Sequence, residues 1–329
     1  MTLEEVRKNE NSADGRRFQQ RLLNWFDQHK RDLPWRQDHD PYRVWLSEIM
    51  LQQTRVVAVM NHYERFLRRF PSVEKLASAR EASVLAAWSG LGYYRRARML
   101  HAAAKMIVKE HRGAYPGSAE SLRTLPGIGR YTAAAIASIS FGQPVAVVDG
   151  NVERVLQRVQ GKNLAGEELW RAAGSLLSRQ RPGDFNQAMM ELGATVCLPR
   201  QPQCLLCPVS DLCATRGELQ RPRKVPRQTK RVIHYTLARR KGSVFLVQRA
   251  KAAALMPGMW ELPEALGADE TKAAWLTVRH SITVTDYVVH VLRGHAPQDL
   301  NGRWVRKSRV TALPLTGLAR KILRAAKII

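Results

Sequence analysis

The chain has 329 residues, of which 45% are hydrophobic, so it is no disordered basic tail and has the length of two domains. Fifty-three Lys and Arg against 28 Asp and Glu give a net charge of +25, which indicates a polyanionic partner. No apolar run is long enough to span a bilayer and the N-terminus has no signal-peptide core, so we expect a soluble, cytoplasmic protein of the DNA-containing compartment.

A polar N-terminal tail, 1–24, precedes the first informative segment, which reads L-P-W-R-Q-D-H-D-P-Y-R-V-W-L-S-E-I-M-L-Q-Q-T from Leu33 to Thr54. A helix is predicted from Tyr42 onward, and Glu48 lies in it. Its neighbours three and four positions away are mostly apolar, namely Val44, Trp45, Leu51 and Gln52. Desolvation among them favours the protonated carboxyl that a general acid needs, although an isolated helical glutamate is more often a surface residue.

The segment from Leu125 to Asn151 reads L-P-G-I-G-R-Y-T-A, then an alanine-rich run, then V-V-D-G-N. We expect Gly127 and Gly129 to take the positive φ angles of a tight turn, and Thr132 to Ser140 to form a helix. The free N–H groups at such a helix start bind phosphate without reading sequence. The alternative is that these glycines only punctuate a helix–turn–helix.

Asp149 precedes a second predicted helix, from Val152 to Val159, so it can cap that helix, act as a catalytic carboxylate, or do both. A third helix is predicted from Phe185 to Val196. Its core face carries Phe185, Ala188, Met189 and Leu192.

The chain contains four cysteines, in the spacing C-x6-C-x2-C-x5-C: Cys197, Cys204, Cys207 and Cys213. Four thiols this close together suit a tetrahedral metal or an iron–sulfur cluster better than two disulfides, which would link a segment that is already local. The residues alone do not separate zinc from a [4Fe–4S] cluster, and either group could serve only to brace the loop.

The composition changes after the last cysteine. The segment 215–231 is basic, contains prolines and has little apolar content, which predicts a linker able to lie along phosphates or a solvated tether. Short β-type runs follow, and a basic helix is predicted at the end of the chain, from Gly317 to Ala326. The predicted strands are Val232 to Leu237, Ser243 to Val247, Trp275 to Val284 and Asp286 to Leu292.

In its order of hairpin, Asp149 and cysteines, the chain resembles the helix–hairpin–helix DNA glycosylases with an iron–sulfur cluster. The segment Leu33 to Thr54, W-S-G-L-G-Y-Y-R-R-A-R from Trp88 and F-N-Q-A-M-M-E-L-G from Phe185 resemble the MutY family of adenine DNA glycosylases. This resemblance implies a mainly α helix–hairpin–helix domain with an iron–sulfur loop, 25–214, and a [4Fe–4S] cluster on the four cysteines. After the linker 215–231 we expect a smaller α/β Nudix-like domain, 232–329.

The implied function is monofunctional removal of adenine mispaired with 8-oxoguanine or guanine, in base excision repair. Glu48 would protonate a flipped-out adenine and Asp149 would stabilise the cation-like sugar, because breaking an N-glycosidic bond requires two acids in different environments. Tyr131 and Asn151 would support that pair. Glycosylases with lyase activity carry a lysine where this chain has Tyr131, and a phenol cannot form an imine.

The resemblance further implies that Arg36, Trp35 and Glu191 bind adenine. Gln53 and Tyr93 would fill the space that the flipped base leaves, while Gly127, Gly129 and Arg130 would contact the DNA backbone. For Tyr94 we expect a structural aromatic, in the core or at the surface, and not a DNA contact. The partner is double-stranded DNA with adenine mispairs, with no membrane, and the protein is expected to be a monomer. The alternatives are a non-catalytic DNA-binding iron–sulfur protein or an endonuclease III-like glycosylase acting on damaged pyrimidines.

The last domain resembles the lesion-reading domain of the family through G-S-V-F-L-V-Q-R, P-G-M-W-E-L-P and R-W-V. It has no acidic Nudix box, so nucleotide hydrolysis is not expected. Where the family carries a Phe-Ser-His loop that contacts 8-oxoguanine, this chain reads Ile282-Thr283-Val284. Thr283 could supply the serine hydroxyl, but Val284 has no polar atom to replace the histidine, so we expect a smaller preference for 8-oxoguanine over guanine opposite adenine. The alternative is that another residue, such as His280 or His290, makes the contact.

Overall fold

The computed structural model describes residues 13–219, 229–253, 255–265, 273–282, 285–297 and 300–329. Helices make up its first two thirds: α1 Ala13–His29, α2 Pro41–Leu51, α3 Val56–Arg69, α4 Val73–Ala77, α5 Glu81–Trp88, α6 Tyr94–His111, α7 Ala119–Leu122, α8 Arg130–Phe141, α9 Gly150–Gln160, α10 Gly166–Leu176 and α11 Pro182–Thr195. Strands and two helices follow: β1 Thr229–Leu237, β2 Arg239–Arg240, β3 Ser243–Gln248, β4 Trp260–Glu261, β5 Leu276–Ile282, β6 Thr285–Arg293, β7 Gly302–Arg306, α12 Lys307–Val310 and α13 Gly317–Ala325.

The described chain divides into two compact units. The first contains residues 13–63, 72–74 and 102–219, and the second contains 64–71, 75–101 and the described residues from 229 onward. No described helix is both long and apolar enough to cross a membrane.

One core of the first unit is formed by the apolar faces of α1, α9, α10 and α11. Phe18 of α1 packs against Phe185 of α11, with ring centroids 6.4 Å apart. The predicted core face of α11 is confirmed, since Phe185, Ala188, Met189 and Leu192 are all buried. Burying each large apolar side chain is worth about 1.5–3 kcal/mol, so this cluster fixes α9 and α11 side by side.

The starts of the helices in the first unit follow local rules. Asp40 accepts a hydrogen bond from the Arg43 backbone N–H at 3.1 Å, and Pro41 follows at the first helical position of α2. The helix predicted from Thr132 to Ser140 is α8, and the one predicted from Val152 to Val159 is α9, each longer by a turn or less.

The turn before α8 differs from the prediction at one glycine. Gly127 has a φ of 76°, as expected, but Gly129 has φ −88° and ψ 179°. The positive φ predicted for Gly129 was therefore wrong. Gly129 is the N-cap of α8, and N-cap residues take extended backbone angles that any residue can adopt.

The second unit contains two sheets. In the first sheet the order is β1-β6-β5, with β1 and β6 parallel and β5 and β6 antiparallel. In the other, β3 pairs with β2, β4 and β7. Their buried residues form one core with the terminal helix α13.

The four predicted strands correspond to β1, β3, β5 and β6, and the predicted basic helix corresponds to α13. Thr283 and Val284, at the end of the third predicted strand, lie outside the described residues. So does 220–228 of the predicted linker. That linker ends earlier than predicted, because Thr229 already pairs with Thr285 in the parallel ladder, with their hydroxyl oxygens 3.0 Å apart.

Candidate active site

A cavity of about 530 Å³ opens in the first unit between α2, α8, α11 and the start of α9, a size typical of small-ligand sites. It brings together eight of the residues singled out in the sequence and adds others that were not. The predicted ones are Trp35, Arg36, Glu48, Gln53, Tyr131, Asp149, Asn151 and Glu191, and the additional ones include Arg31, Gln52, Gln187 and Met190.

Glu48 lies in α2 with 6% of its surface exposed. The pKa of its carboxyl is raised to about 7, and burial is the largest cause. The hydrogen bond from Tyr131 lowers this pKa, and the nearby Asp149 raises it. The Tyr131 hydroxyl donates to Glu48 Oε2 at 2.7 Å. Oε1 is thus the oxygen left to carry a proton at neutral pH, and an acid of this pKa is well matched to proton donation there.

Asp149 caps α9 and accepts hydrogen bonds on both carboxyl oxygens. Its Oδ1 accepts the backbone N–H groups of Asn151 at 2.9 Å and Val152 at 2.7 Å, while Oδ2 accepts the Asn151 side-chain amide at 3.1 Å. Burial raises the pKa of Asp149, and these hydrogen bonds oppose that rise. The cap and a carboxylate role are therefore compatible, because Oδ2 still has a lone pair available to the cavity.

Hydrogen bonds at both the oxygen and the nitrogen of the Asn151 side-chain amide fix its orientation. Arg154 donates to its Oδ1 at 2.9 Å, so its amide nitrogen must point to Asp149. Arg154 also donates to the Gly193 carbonyl at 2.7 Å. A Cβ placed on Gly193 would lie 2.6 Å from Asn151 Cβ, so only glycine lets α11 approach the start of α9 this closely.

Gly193 and Asn186 belong to F-N-Q-A-M-M-E-L-G, but their roles were missed in the sequence. Asn186 accepts the Val147 N–H at 3.1 Å and donates to Val145 O at 2.9 Å, which holds the irregular segment leading into Asp149. A buried asparagine and a glycine inside a helix are the signals that could have found them.

Glu191 is 1% exposed and is held by two arginines. Arg31 Nε donates to Oε1 at 2.6 Å and Arg31 Nη2 to Oε2 at 2.8 Å, while Arg36 Nη2 donates to Oε2 at 2.9 Å. Burial raises the pKa of Glu191, but these hydrogen bonds outweigh it and the net pKa is lowered. Glu191 is thus ionised, and it fixes the plane of Arg36 together with Gln187, which accepts from Arg36 Nε at 3.2 Å.

Trp35 is buried at the cavity wall and meets Tyr63 edge to face, at 5.3 Å between centroids. Gln53 also lines the cavity and has a φ of 54°, an uncommon backbone conformation for a non-glycine residue. Tyr93 belongs to the second unit, where its side chain is 50% exposed. Tyr94 is buried, so of the two structural positions expected for it, core or surface, it takes the core.

At the hairpin, Arg130 opens α8 and is engaged within the protein. Its guanidinium pairs with Glu167 and stacks over Trp170 at 4.0 Å from the ring centroid. The Gly129 N-cap provides no side-chain cap, and a Cβ added there would meet none of the described atoms within 4 Å. The backbone at this helix start is therefore open to a ligand.

The four cysteines surround a second small cavity of the first unit. Arg158 Nη1 lies 3.3 Å from Cys197 Sγ. Burial, and to a smaller extent the neighbouring cysteine sulfurs, raise the pKa of Cys207 to about 11. Among the described residues no three His, Cys, Asp or Glu side chains converge on a single-ion site.

The chain is similar in sequence to base excision DNA repair proteins. The sequence pattern of the HhH-GPD superfamily of base excision DNA repair proteins matches residues 46–174. The adenine DNA glycosylase of Homo sapiens is 50% identical over 218 residues, covering 62% of this chain and 40% of that protein. That of Arabidopsis thaliana is 39% identical over 324 residues, covering 83% of this chain and 51% of that protein. The chain thus spans about half or less of the length of these relatives.

Among solved structures, a thermostable thymine-DNA glycosylase is 30% identical with a TM-score of 0.58, covering 62% of this chain and 96% of that one. Endonuclease III in a trapped covalent intermediate with DNA is 20% identical with a TM-score of 0.53, covering 66% of this chain and 97% of that one, a likeness of fold alone. The chain belongs to the HhH-GPD superfamily of base excision DNA repair proteins, and the curated relatives named above are adenine DNA glycosylases.

Proposed function

We propose that this protein is a monofunctional adenine DNA glycosylase that removes adenine mispaired with guanine or 8-oxoguanine. The observation that carries this proposal is the pair of carboxyls in one cavity, in which Glu48 has a pKa of about 7 and Asp149 is hydrogen-bonded on both oxygens. Two acids in different environments are what cleavage of an N-glycosidic bond requires. The adenine DNA glycosylases among the relatives support the choice of base.

Glu48 donates the proton. A neutral adenine is a much better leaving group once a ring nitrogen is protonated, and the free Oε1 of Glu48 is the atom placed to protonate it. Tyr131 donates to Oε2, and this bond strengthens as the carboxyl loses its proton and becomes charged. Tyr131 therefore favours the transition state over the resting acid.

Asp149 balances the positive charge that develops on the sugar as the base departs. Its position at the start of α9 is fixed by the two backbone N–H groups on Oδ1, and Asn151 holds the orientation of Oδ2. A carboxylate held this rigidly stabilises the cation without a cost of reorganisation.

The adenine enters the cavity between Trp35 and Arg36. Glu191 is saturated by arginine donors, so its contribution is to orient Arg36 beside the base. Gln53 and Tyr93 take the vacated place in the duplex, which offsets part of the few kcal/mol that flipping costs. Since Tyr131 cannot form a Schiff base, the product is an intact strand with an abasic site.

Double-stranded DNA is the partner, bound by a monomer. Gly127, Gly129 and Arg130 present the start of α8 to the backbone phosphates, where free N–H groups and the helix dipole favour an anion. The C-terminal residues from 232 form a Nudix-like module that reads the base opposite the adenine. The basic residues 215–231 connect the two parts.

Cys197, Cys204, Cys207 and Cys213 would hold a [4Fe–4S] cluster, which braces the loop after α11 and supplies no step of the base-release chemistry. The loop is also tied to α9 by Arg158, which donates to Leu198 O at 2.6 Å and to Pro199 O at 3.0 Å. Elemental analysis of the purified protein tests this assignment. Iron supports the cluster, and zinc without iron rejects it.

A labelled duplex with a single adenine opposite 8-oxoguanine tests the activity. The protein should release free adenine and leave a strand that breaks only after alkali. Binding without adenine release would make it a DNA-binding protein, and scission without alkali would make it a lyase. A parallel duplex with an oxidised pyrimidine separates this function from that of endonuclease III-like enzymes.

A further inference from the structure

The Tyr131 hydroxyl lies between two acceptors. It is 2.7 Å from Glu48 Oε2 and 3.3 Å from the sulfur of Met190. A thioether is a weak acceptor and a carboxylate a strong one, so the hydroxyl hydrogen goes to Glu48. The Met190 sulfur is therefore a second, weaker acceptor for the hydroxyl that supports the general acid.

Met190 is accessible where its neighbour Met189 is not. Met189 is buried in the core of the first unit with 2% exposure, whereas Met190 is partly buried and lines the cavity. Successive residues of α11 point to different sides of the helix, which explains the difference. A small peroxide that enters the cavity can reach the Met190 sulfur.

We propose that Met190 is an oxidation site of this enzyme, at which conversion of the thioether to a sulfoxide slows base release. In this reaction a sulfur lone pair attacks one oxygen of hydrogen peroxide, the O–O bond breaks and an S–O bond forms. The sulfur loses two electrons, and the other peroxide oxygen leaves as water after proton transfer. The product is a polar sulfoxide, which methionine sulfoxide reductases reduce back to methionine.

The sulfoxide oxygen is a strong acceptor placed beside the Tyr131 hydroxyl. It draws that hydrogen away from Glu48, which loses the bond that lowers its pKa. Glu48 then becomes a weaker acid, and its developing charge is no longer stabilised as the proton leaves. Because a hydrogen bond to a charged group is one of the stronger kinds, we expect a loss of about tenfold in base-release rate. The alkaline limb of the pH profile should move to higher pH.

The inference rests on the proposed adenine release, so each preparation is first assayed without oxidant. The purified protein, Met190→Leu and the matched Met189→Leu are then treated with hydrogen peroxide, and the peroxide is removed with catalase. Single-turnover adenine release is compared with that of the same untreated variant. Peptide mass spectrometry measures the added oxygen at residue 190, and visible absorbance monitors the state of the cysteine loop.

In wild type and Met189→Leu, the rate of adenine release should fall as the fraction of oxidised Met190 rises, by about tenfold when oxidation is complete. A methionine sulfoxide reductase should restore the rate. Met190→Leu should keep its untreated rate. An equal loss in Met190→Leu, or full activity with Met190 oxidised, would overturn the inference. If untreated wild type releases no adenine, it is the proposed function that fails.

A second comparison needs no oxidant. Met190→Gln places a polar acceptor beside Tyr131 and should slow release and shift the alkaline limb upward. In the Tyr131→Phe background, where no hydroxyl is available to divert, the same substitution should change neither. A Met190→Gln variant with the wild-type rate and pH profile contradicts the mechanism, and so does an equal effect of Met190→Gln with and without Tyr131.

Discussion

Glu48 shows how a single carboxyl acquires two opposing influences. Burial alone would push its pKa far up, and the Tyr131 hydroxyl moderates that effect, leaving a pKa of about 7. The apolar neighbours in α2 made the burial predictable from the sequence. The contact with Tyr131 was not predictable from spacing, since the two residues are 83 positions apart and meet only because α2 and α8 pack together.

The pH dependence of kcat/KM follows from the two carboxyls. Glu48 must be protonated, so activity should fall as pH rises through about 7. Asp149 must be ionised, so activity should also fall as pH drops through its pKa, which burial raises above its ordinary value. We therefore expect a bell-shaped profile in steady-state kinetics. A rate that does not change between about pH 5 and pH 9 would contradict these roles.

Asp149→Asn separates the cap from the catalytic role. Asparagine caps a helix about as well as aspartate, so the melting temperature should change little. The negative charge near the sugar is lost, and we expect a fall of at least about 10²-fold in single-turnover adenine release, as for loss of a positioned charge stabiliser. Asp149→Ser is the matched control, since it retains a capping oxygen without an amide. Near wild-type release by either variant would contradict the assignment.

At the scale of elements, sequence patterns located α2, α8, α9, α11, α13 and the strands β1, β3, β5 and β6 to within a few residues. The long helices α1, α3, α6 and α10 and the strand β7 were not predicted, and α1 begins at Ala13, inside the predicted polar tail 1–24. Shorter elements were missed: β2 and β4 have two residues each, too few for any pattern to show. The hairpin before α8 was found from its glycines, but only Gly127 adopts a positive φ. The cavity itself could not be predicted, because its walls come from segments separated by more than a hundred residues, and Arg31 and Gln187 lacked any local signal.

The two hairpin glycines provide an internal comparison. Gly127→Ala places a side chain at φ 76° and should destabilise the protein by roughly 1–2 kcal/mol. Gly129→Ala has an ordinary φ and open space around the added methyl group, so it should unfold at nearly the wild-type denaturant concentration. Urea unfolding measures both. Equal destabilisation by the two substitutions would show that the turn does not depend on the backbone of Gly127.

For the whole molecule, charge is the dominant feature. The net charge of +25 was readable from composition, but its distribution depends on the fold, which pairs some cations internally, as with Arg130 and Glu167. We expect log affinity for duplex DNA to fall linearly with log salt concentration, by about 0.9 for each phosphate neutralised. Fluorescence anisotropy across a salt series measures this slope. An affinity independent of salt would contradict binding through the backbone phosphates.

In the proposed mechanism, Glu48 protonates the departing adenine. The most direct test of this role is single-turnover release of free adenine by Glu48→Gln, with all DNA bound, compared with wild type on the same 8-oxoguanine mispair. Glutamine preserves the size of the side chain and cannot supply the proton, so release should fall by roughly 10²–10⁴-fold while the dissociation constant for DNA stays near that of wild type. Release by Glu48→Gln within about threefold of the wild-type rate, a difference of under 1 kcal/mol in the barrier, would contradict the account.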